Sequence, residues 1–398
     1  MEEKKEGKRE RPKILRIITR LERGGVPYEV LEVTRSEEIN KFFDQVLVSG
    51  YCKNEVEIPP DIKVLRVKNL ERDVSLLKDV FALFEIIKII LSEKPDIIHT
   101  HTSKAGFIGR LAGFICKVPY KIYSPHGHIF SGYFSKTKTF LFKFLEFIAG
   151  KFTDVVVVRT EDEKEAFESV GYRGKFFFIP KAEVKLESQK EQEKFLGSET
   201  NEKIEKIKDK IIALKNSGVK IVGTISRLEP VKGIEYLVRA FSLLLKDLDQ
   251  KVFLLIVGDG SERKKLQELA EKILGKENFL FTGWIYPPDD FYPLFDVFCV
   301  PSLNEAWGVT IIEAGKFGIP IVASSVGGIP YFAGGYVLLV PPKNEQSLKE
   351  AIKKILMDEK LRKSLSEKSF ELSQKYTRDF MIKRYLELYF SLYKKKNS

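Results

Sequence analysis

Short runs of branched apolar residues alternate along the whole chain with longer stretches of helical period. Apolar residues fill the short runs almost throughout, which is typical of strands buried on both faces of a sheet. Alternating strand and helix signals predict parallel sheets with helices wound on both sides. We therefore expect an α/β fold made of doubly wound parallel sheets.

The strand signals form two series separated by a charged stretch. The first series is Lys13–Thr19, Gln45–Ser49, Val64–Val67, Asp96–Thr100, Lys121–Ser124, Asp154–Val158 and Lys175–Ile179. The second is Lys220–Ile225, Val252–Val257, Asn278–Phe281, Val297–Val300, Ile319–Ala323 and Tyr336–Leu339. Because 398 residues exceed one ordinary core, each series predicts its own Rossmann-like domain.

Domain boundaries follow from these two series. We predict an N-terminal domain over residues 1–180 and a C-terminal domain over 219–375. Residues 181–218 are predicted to be a charged linker or insertion, solvated in the middle at 189–203. The last segment, 376–398, has helical period and is expected to return to the first domain. A ligand would then bind between the domains, at the carboxyl ends of both sheets.

Charge and targeting signals limit the function classes. The formal net charge of +11 suits nucleic acid, an anionic membrane surface or a phosphorylated substrate, but no nucleic-acid-binding module is recognisable. The sequence has no apolar run long enough for a transmembrane helix, and Met1–Arg11 is unlike a signal peptide. Cys52, Cys116 and Cys299 lack redox or metal spacing. We therefore expect a cytosolic protein.

Two glutamates flank a predicted strand-to-helix turn. Glu305 follows the strand Val297–Val300, and Glu313 lies one turn into a helix predicted to begin near Val309. The free N–H groups at such a helix start attract an anion. Glu313 would lie about 6 Å along the axis, near the ribose of a nucleotide whose phosphates sit at the helix start. The alternative is a surface charge at Glu305 and a helix-dipole partner at Glu313.

Two cations follow the strand Lys220–Ile225. Arg227 can fork onto two phosphate oxygens, and Lys232 supplies a point charge. Together they suit a pyrophosphate and would stabilise a departing diphosphate. The alternative is two solvated basic loop residues.

Gly24-Gly25 lies between the first predicted strand and a helix. A glycine pair allows close approach of the backbone to a ligand, yet the segment is neither a dinucleotide fingerprint nor a phosphate-binding GK[ST] loop. A plain strand-to-helix turn explains it equally well.

All four histidines follow two neighbouring strand signals. His99 and His101 lie in one segment, and His126 and His128 lie in the next. A zinc site is the less favoured interpretation, because no cysteine or acidic ligand joins them at suitable spacing. Hydrogen bonding to a sugar or acceptor, or a structural role, is the better interpretation.

Aromatic residues are concentrated between Phe130 and Phe152, with lysines interleaved. A helix of this composition suits a membrane interface. A domain helix with one core face and solvated lysines is the alternative. The residues concerned are Phe130, Phe134, Phe140, Phe142, Phe144, Phe147, Phe152, Lys136, Lys138, Lys143 and Lys151.

In order and spacing, these motifs together resemble the retaining glycosyltransferases of family 4, also called group 1, which have the two-domain GT-B fold. The most specific part is the Glu-x7-Glu motif at Glu305 and Glu313, combined with Arg227, Lys232 and the Gly-Asp-Gly at 258–260. The stretches at 99–106 and 125–128 resemble bacterial capsular and surface-polysaccharide enzymes. The resemblance covers nearly the whole chain.

The resemblance implies roles for individual residues. Glu313 would hold the donor ribose and Glu305 a hydroxyl of the donor sugar, while Arg227 and Lys232 grip the diphosphate. The implied catalytic residues are His126, Glu305, Arg227 and Lys232. The implied donor-binding residues are Gly25, Arg227, Lys232, Gly258, Trp284, Glu305, Gly308, Val309, Thr310 and Glu313. The implied acceptor-side residues are His99, His101, Ser103, Lys104 and His128.

Two positions depart from the family pattern. Lys181-Ala182 stands where the family has Asn-Gly, and Tyr331 stands where it commonly has Glu. The first affects the interdomain hinge and the second the acceptor side or a helix start. Neither carries an assigned chemical role.

The implied reaction moves a hexose or N-acetylhexosamine, with retention, from a nucleotide-sugar to a glycan or polyprenyl-linked acceptor in surface-polysaccharide synthesis. UDP is the favoured nucleotide. No cofactor or metal is expected, and Asp289-Asp290 is predicted to be a solvated turn. Peripheral contact with the inner face of a membrane remains open, and nucleic acid is not an expected partner. A UDP-sugar epimerase, a phosphorylase and a non-catalytic nucleotide-sugar sensor are the alternatives.

Overall fold

The computed structural model describes residues 11–22, 25–126, 136–182, 198–285 and 287–393. These residues divide into two compact units. The chain passes from unit 1 to unit 2 after Pro180 and returns to unit 1 after Thr377.

Unit 1 contains a parallel sheet of seven strands in the order β3-β2-β1-β4-β5-β6-β7. The strands are β1 (Lys13–Ile18), β2 (Asp44–Ser49), β3 (Val64–Arg66), β4 (Ile97–His101), β5 (Tyr120–Ser124), β6 (Val155–Val158) and β7 (Lys175–Phe178). The helices between them are α1 (Gly25–Arg35), α2 (Glu37–Asn40), α3 (Leu76–Glu93), α4 (Ser103–Ile115), α5 (Lys136–Gly150) and α6 (Glu161–Ser169).

Unit 2 contains a parallel sheet of six strands in the order β10-β9-β8-β11-β12-β13. They are β8 (Lys220–Ile225), β9 (Val252–Val257), β10 (Phe279–Phe281), β11 (Val297–Val300), β12 (Ile321–Ser324) and β13 (Leu338–Val340). The helices are α7 (Ser198–Asn216), α8 (Ile234–Asp247), α9 (Arg263–Leu274), α10 (Val309–Lys316), α11 (Ile329–Ala333), α12 (Glu345–Met357) and α13 (Glu359–Lys375). The predicted fold class, two doubly wound parallel sheets, is confirmed.

Both sheets reverse their strand order beside their first strand. In unit 1 the reversal falls between β1 and β4, and in unit 2 between β8 and β11. The central strands are buried on both faces, which explains their unbroken apolar sequences. At such a switch point the loops at the carboxyl ends turn to opposite sides and leave a crevice for a ligand. The motif-bearing loops follow these strands.

The segment predicted to be a charged linker, 181–218, differs from that prediction in its second half. Residues 198–216 form α7, and the side chain of Ile211 is buried in the core of unit 2. The segment is rich in charge because most of the helix surface faces solvent, while one narrow apolar edge packs inward.

The last helix, α14 (Arg378–Tyr393), packs within unit 1. Arg378 forms ion pairs with Glu32 and Glu38, and its hydrogen bond to Glu38 lowers the pKa of that carboxyl to about 2. None of the described helices is both long and apolar enough to cross a bilayer.

Candidate active site

The loops that follow β8 and β11 line a pocket at the carboxyl edge of the sheet in unit 2. Its volume is about 170 Å³. The lining residues are Thr224, Ile225, Ser226, Arg227, Lys232, Ile234, Val300, Pro301, Ser302, Glu305 and Thr310. The pocket therefore lies at the switch point of the sheet, where the fold favours ligand binding.

An ion pair crosses this pocket. The Nζ atom of Lys232 lies 2.5 Å from Oε2 of Glu305, and both side chains are partly buried. The hydroxyl of Ser302 donates to the same carboxylate oxygen over 3.3 Å. Sequence analysis placed these two charges in separate motifs, and the structure brings them together. A ligand that enters this pocket meets a cation and an anion within one hydrogen-bond length of each other.

The backbone around Glu305 is held by a glycine pair that sequence analysis did not assign to the site. The N–H of Gly328 donates to the Glu305 carbonyl over 3.1 Å. Gly327 has a φ of +51°, and a Cβ there would lie 2.0 Å from the same oxygen. Only glycine permits this approach. The motif Gly327-Gly328 was visible in the sequence, but its contact partner was not.

Helix α10 begins at this pocket without a side-chain cap. Gly308, with a φ of +76°, precedes the helix, and no side chain caps its first turn. The N–H groups of Val309 and Thr310 are in the first turn, where no intrahelical carbonyl reaches them. Thr310 lines the pocket, so the positive end of the helix is directed toward any anion bound there.

Glu313 lies one turn further along α10 and is partly buried. Its carboxylate accepts a hydrogen bond from the hydroxyl of Tyr292. Tyr292 is itself buried and stacks on Phe317 at 5.6 Å between ring centroids. Tyr292, which sequence analysis missed, thus fixes the orientation of the carboxylate.

Arg227 is the most open charge of the pocket. Its side chain is exposed. In the part of the chain that the structure describes, no hydrogen bond or ion pair occupies its guanidinium. The five N–H donors of an arginine are therefore available for a planar anion such as a phosphate.

Gly258 packs beside the same loop. It has a φ of +136°, and an added Cβ would lie 1.9 Å from the carbonyl oxygen of Ser226. Its N–H donates to the carbonyl of Gly283 over 3.0 Å, and the next residue, Trp284, is half exposed. The Gly-Asp-Gly segment and the segment that carries Trp284 therefore lie next to the Arg227 loop.

Two histidines of unit 1 are interior residues. His99 and His101 are fully buried on β4. Nε2 of His99 lies 2.8 Å from Ser124 Oγ, and its Nδ1 lies 3.3 Å from Arg16 Nη1. Because arginine can only donate, Nδ1 accepts and Nε2 carries the proton. Burial, with a smaller effect of neighbouring charges, lowers the pKa of both histidines well below its usual value.

His126 lies in the middle of a chain of hydrogen bonds. Arg159 Nη2 is 2.7 Å from its Nδ1, and its Nε2 is 2.8 Å from His101 Nδ1. Since arginine only donates, the neutral ring carries its proton on Nε2 and donates it to His101. His101 is then protonated on its own Nε2, which is buried and has no hydrogen-bond partner among the described residues.

The His126 side chain is only 2% exposed, and its φ is +61°. Left-handed backbone is rare for a residue with a Cβ, and its two ring hydrogen bonds hold it there. The resemblance implied a catalytic side chain at this position. In the structure two hydrogen bonds anchor the buried ring, and its catalytic role stays a prediction.

A buried ion pair supports this anchor. Arg159 lies 2.9 Å from both carboxylate oxygens of Glu29, and the hydroxyl of Tyr385 on α14 donates to Glu29 over 2.8 Å. Burial opposes the positive charge of Arg159, but Glu29, Tyr385 and Glu163 together favour that charge, and the arginine's pKa is raised. Sequence analysis missed all three residues. An arginine directly after the run Val155–Val158 was the available signal.

The other predicted residues of unit 1 have different surroundings. An added Cβ at Gly25 meets no atom within 4 Å, which leaves open space beside the start of α1. Ser103 begins α4, and Lys104 forms an ion pair with Asp79 at 2.5 Å rather than an open acceptor contact. His128 lies outside the described residues.

No group of three or more His, Cys, Asp or Glu side chains among the described residues could hold a metal ion. Asp289 and Asp290 begin a 3₁₀ helix, and Asp290 pairs with Lys208 at 2.9 Å. The expected solvated turn is thus a short helix bound to α7.

Comparison with known families assigns both units. The model of "Glycosyltransferase Family 4" matches residues 14–182. The model of "Glycosyl transferases group 1" matches residues 205–372. The two matches cover both sheets and the pocket of unit 2.

Characterised relatives are similar over much of the chain. An Escherichia coli protein named UDP-Gal:alpha-D-GlcNAc-diphosphoundecaprenol alpha-1,3-galactosyltransferase is 29% identical over 272 residues, 67% of each chain. The capsular polysaccharide biosynthesis glycosyltransferase CapM of Staphylococcus aureus is 26% identical over 77% of this chain and 79% of its own.

Solved structures share the architecture. Sucrose-phosphate synthase from Thermosynechococcus elongatus superimposes with a TM-score of 0.73 at 20% identity, covering 96% of this chain and 99% of that one. Anabaena Alr3699/HepE in complex with UDP-glucose gives a TM-score of 0.71 at 20% identity, covering 95% and 99%. At this identity the likeness shows the GT-B fold alone. With both family models matched, this chain belongs to the family 4, or group 1, glycosyltransferases.

Proposed function

We propose that this glycosyltransferase moves a hexose or N-acetylhexosamine from a UDP-linked donor to a glycan or polyprenyl-diphosphate-linked acceptor, with retention, in surface-polysaccharide synthesis. The observation that carries the proposal is the charged pocket of unit 2, where Arg227, Lys232 and the start of α10 converge beside Glu305. The similar E. coli enzyme, whose name specifies UDP-Gal and a diphosphoundecaprenol acceptor, supports the choice of donor and acceptor.

Donor binding would rearrange the central ion pair. A diphosphate carries more negative charge than one carboxylate and competes with Glu305 for Lys232. Once Lys232 turns to the phosphates, the Glu305 carboxylate is free to accept hydrogen bonds from sugar hydroxyls. Glu313, oriented by Tyr292, would receive the ribose hydroxyls one turn further along the helix.

The protein's own cations would assist departure of the leaving group. As the bond between the sugar carbon and the phosphate oxygen breaks, negative charge grows on the diphosphate. Arg227, the first N–H groups of α10 and Lys232, once it has turned to the phosphates, would stabilise that charge. We therefore propose that the reaction needs no metal ion. Full activity in EDTA would support this, whereas complete loss restored by Mg²⁺ would contradict it.

Unit 1 would serve the acceptor. Its network holds the backbone at His126 in a left-handed conformation, next to a buried and unpartnered N–H on His101. An ordered interior water is a suitable partner for that donor. We therefore propose that the histidine side chains fix the backbone conformation at this edge of the sheet and do not transfer a proton.

A donor screen followed by a transfer assay tests the proposal. UDP-sugars and GDP-sugars are screened by thermal shift, since a bound donor raises the unfolding temperature. Active pairs are then assayed with and without acceptor. Glu305→Gln should retain UDP binding and lose sugar transfer, while Glu235→Gln, at a partly exposed position on α8, should leave both unchanged.

Each other outcome has a defined meaning. Binding of UDP with no turnover for any donor and acceptor would favour a nucleotide-sugar sensor. Conversion of the donor to another UDP-sugar without acceptor would favour an epimerase. Either result would reject the proposed transferase reaction.

We also propose that the enzyme acts at the cytoplasmic face of a membrane. A polyprenyl-linked acceptor is anchored in lipid, so its enzyme must reach the bilayer surface. The three cysteines at positions 52, 116 and 299 are free, in agreement with a reducing compartment.

A further inference from the structure

Helix α3 presents apolar side chains to solvent. Its inward face, with Ala82, Ile86 and Ile90, is buried against the sheet. Its outward face is also apolar and carries Leu76, Leu77, Val80, Phe81, Phe84 and Leu91, which are 45–82% exposed. A helix that is apolar on both faces is usually buried on both. An outward apolar face of this kind is typical of a surface that binds another molecule or a membrane.

Helix α5 repeats this pattern. Phe140, Phe144 and Phe147 recur at helical spacing and are 72%, 51% and 44% exposed. Lys143 is exposed between them, and Lys151 Nζ lies 4.8 Å from the ring centre of Phe147. The predicted aromatic and basic stretch is therefore a helix with its rings outward. Residues 127–135 of that stretch lie outside the described chain.

The two helices share one side of unit 1. Helices α3, α4 and α5 each lead to a strand further along the sheet in the same direction. Right-handed crossovers therefore place all three on the same face. The last turn of α4 adds Phe114 and Ile115, both more than half exposed, and Phe114 stacks on Phe152. We name the exposed apolar side chains of α3, α4 and α5 the apolar face.

Ion pairs hold the three helices together from within. Lys104 of α4 pairs with Asp79 of α3, and the buried pair Arg110–Glu146 joins α4 to α5. The apolar face is therefore mounted on a fixed platform. The helices that carry these residues are packed, so the exposure of the apolar face is not the result of a helix that has failed to pack.

Several exposed lysines accompany the apolar face. The carboxylates of α3 and α5 are each engaged by a donor within unit 1: Asp79, Glu85, Glu93 and Glu146. Lysines at positions 88, 143 and 151 are exposed. An approaching surface thus meets large apolar groups accompanied by positive charge.

We propose that the apolar face docks onto an anionic lipid bilayer, with Phe and Leu side chains inserted among the acyl chains and lysines at the headgroups. Rings and branched side chains flanked by lysine are the composition of an interfacial membrane surface. A protein partner of matching shape would be expected to use paired charges of both signs at its rim. The proposal extends the proposed function, because it states where the lipid-linked acceptor would be met.

Vesicle flotation tests the proposal. The full chain is mixed with vesicles of phosphatidylcholine alone or with phosphatidylglycerol added. We expect binding to the anionic vesicles and at least tenfold weaker binding for Phe140→Ser/Phe144→Ser and for Leu77→Ser/Phe81→Ser. Lys143→Glu/Lys151→Glu should weaken binding to anionic vesicles only. Phe370→Ser, at a half-exposed position on α13 of unit 2, is the matched control.

Binding of UDP by thermal shift accompanies every variant, so folding and the donor site are checked independently. Absence of vesicle binding by a chain that binds UDP would overturn the docking proposal and leave the proposed function intact. Equal vesicle binding by all variants would also overturn it. A dimer in light scattering that the paired apolar substitutions dissociate would assign the face to a second copy instead.

Discussion

Both units are doubly wound parallel sheets, but the side chains at the carboxyl ends of their central strands differ in exposure to solvent. In unit 1 these ends carry two closed sets of hydrogen bonds, one that joins Arg16 to His99 and one that joins His101, His126 and Arg159, and their side chains are excluded from solvent. In unit 2 they carry an open pocket in which Lys232 and Glu305 face each other and solvent can enter.

The difference separates two uses of charge. A buried charge must be fully satisfied by fixed partners, because desolvation makes any lost partner costly. A partly exposed charge can exchange its partner for a ligand at little cost. The buried charges of unit 1 therefore keep their fixed partners, whereas the partly exposed charges of unit 2 can bind a ligand.

The outer surfaces differ as well. On α8 of unit 2 the exposed side includes the ion pair Glu235–Arg239 and Lys246, while Leu237, Phe241 and Leu244 face the core. On α3 of unit 1 the exposed side is apolar. Both helices cover a sheet in the same manner, so sheet packing does not explain the apolar exterior of α3. The apolar exterior of α3 therefore indicates a contact with another molecular surface.

The largest expected effect is on unit 1. Glu29→Leu leaves the Arg159 charge buried without its carboxylate, which should lower the stability of unit 1 by about 3–5 kcal/mol. Hydrogen exchange of β4 and β5 peptides measures the loss, with unit 2 peptides as the internal reference. Glu165→Leu, exposed on α6, should change stability by less than about 0.5 kcal/mol. Equal effects of both changes would show that the buried ion pair contributes no more to the stability of unit 1 than an exposed glutamate does.

The next effect is on catalysis in unit 2. Lys232→Ala should reduce sugar transfer about 100- to 1,000-fold, since it removes a positive charge that would stabilise the leaving diphosphate. Circular dichroism should be unchanged because the residue is partly exposed. Lys246→Ala on the same unit is the control. Wild-type transfer in Lys232→Ala would remove this lysine from the active site.

Arg227→Ala should have a smaller effect, mainly on donor binding. Loss of a charged hydrogen bond costs about 1.5–3 kcal/mol, or roughly ten- to a hundredfold in the dissociation constant of UDP. Calorimetric titration measures it, and Arg239→Ala, an exposed arginine on α8, should bind UDP normally. An unchanged dissociation constant would show that the open guanidinium does not contact the nucleotide.

A smaller and more gradual effect, on the stability of unit 1, is expected when the pH is lowered. Burial lowers the pKa of His99 and His101 in the folded chain, so below about pH 6.5 the unfolded chain binds more protons. The stability of unit 1 should therefore fall as the pH drops below that value, by up to about 1.4 kcal/mol per pH unit for each histidine. All four histidines of the sequence lie between residues 99 and 128, so unit 2 is the control.

Hydrogen exchange between pH 7.5 and 5.5, corrected for the intrinsic rate, follows both units in one sample. His99→Gln should flatten the dependence in unit 1. An equal loss of protection in both units would mean that the buried histidines do not control it.

Sequence reasoning located the strands well, because strands buried on both faces leave unbroken apolar runs such as Val252–Val257. It also placed Arg227, Lys232, Glu305 and Glu313 at strand ends and a helix start. Their residue types carry the chemistry, and the alternation of elements brings them to the same edge.

What the sequence did not reveal depends on contacts between distant residues. Glu29, Arg159 and Tyr385 lie on three elements far apart in sequence, and no local pattern marks them as partners. For His126 the resemblance implied a catalytic role, but no local pattern predicted that two hydrogen bonds to His101 and Arg159 bury its ring. The same limit applies to α7, whose charged composition hid the buried Ile211.

Hydrogen exchange of the wild-type chain with and without UDP tests the contrast between the two units most directly. We predict that UDP protects backbone amides around residues 226–233 and 302–313 of unit 2, where the open charges lie. Peptides covering His99, His101 and Arg159 in unit 1 should be unaffected, because their network is already closed. Protection confined to unit 1, or none around Lys232 and Glu305 at saturating UDP, would contradict the account.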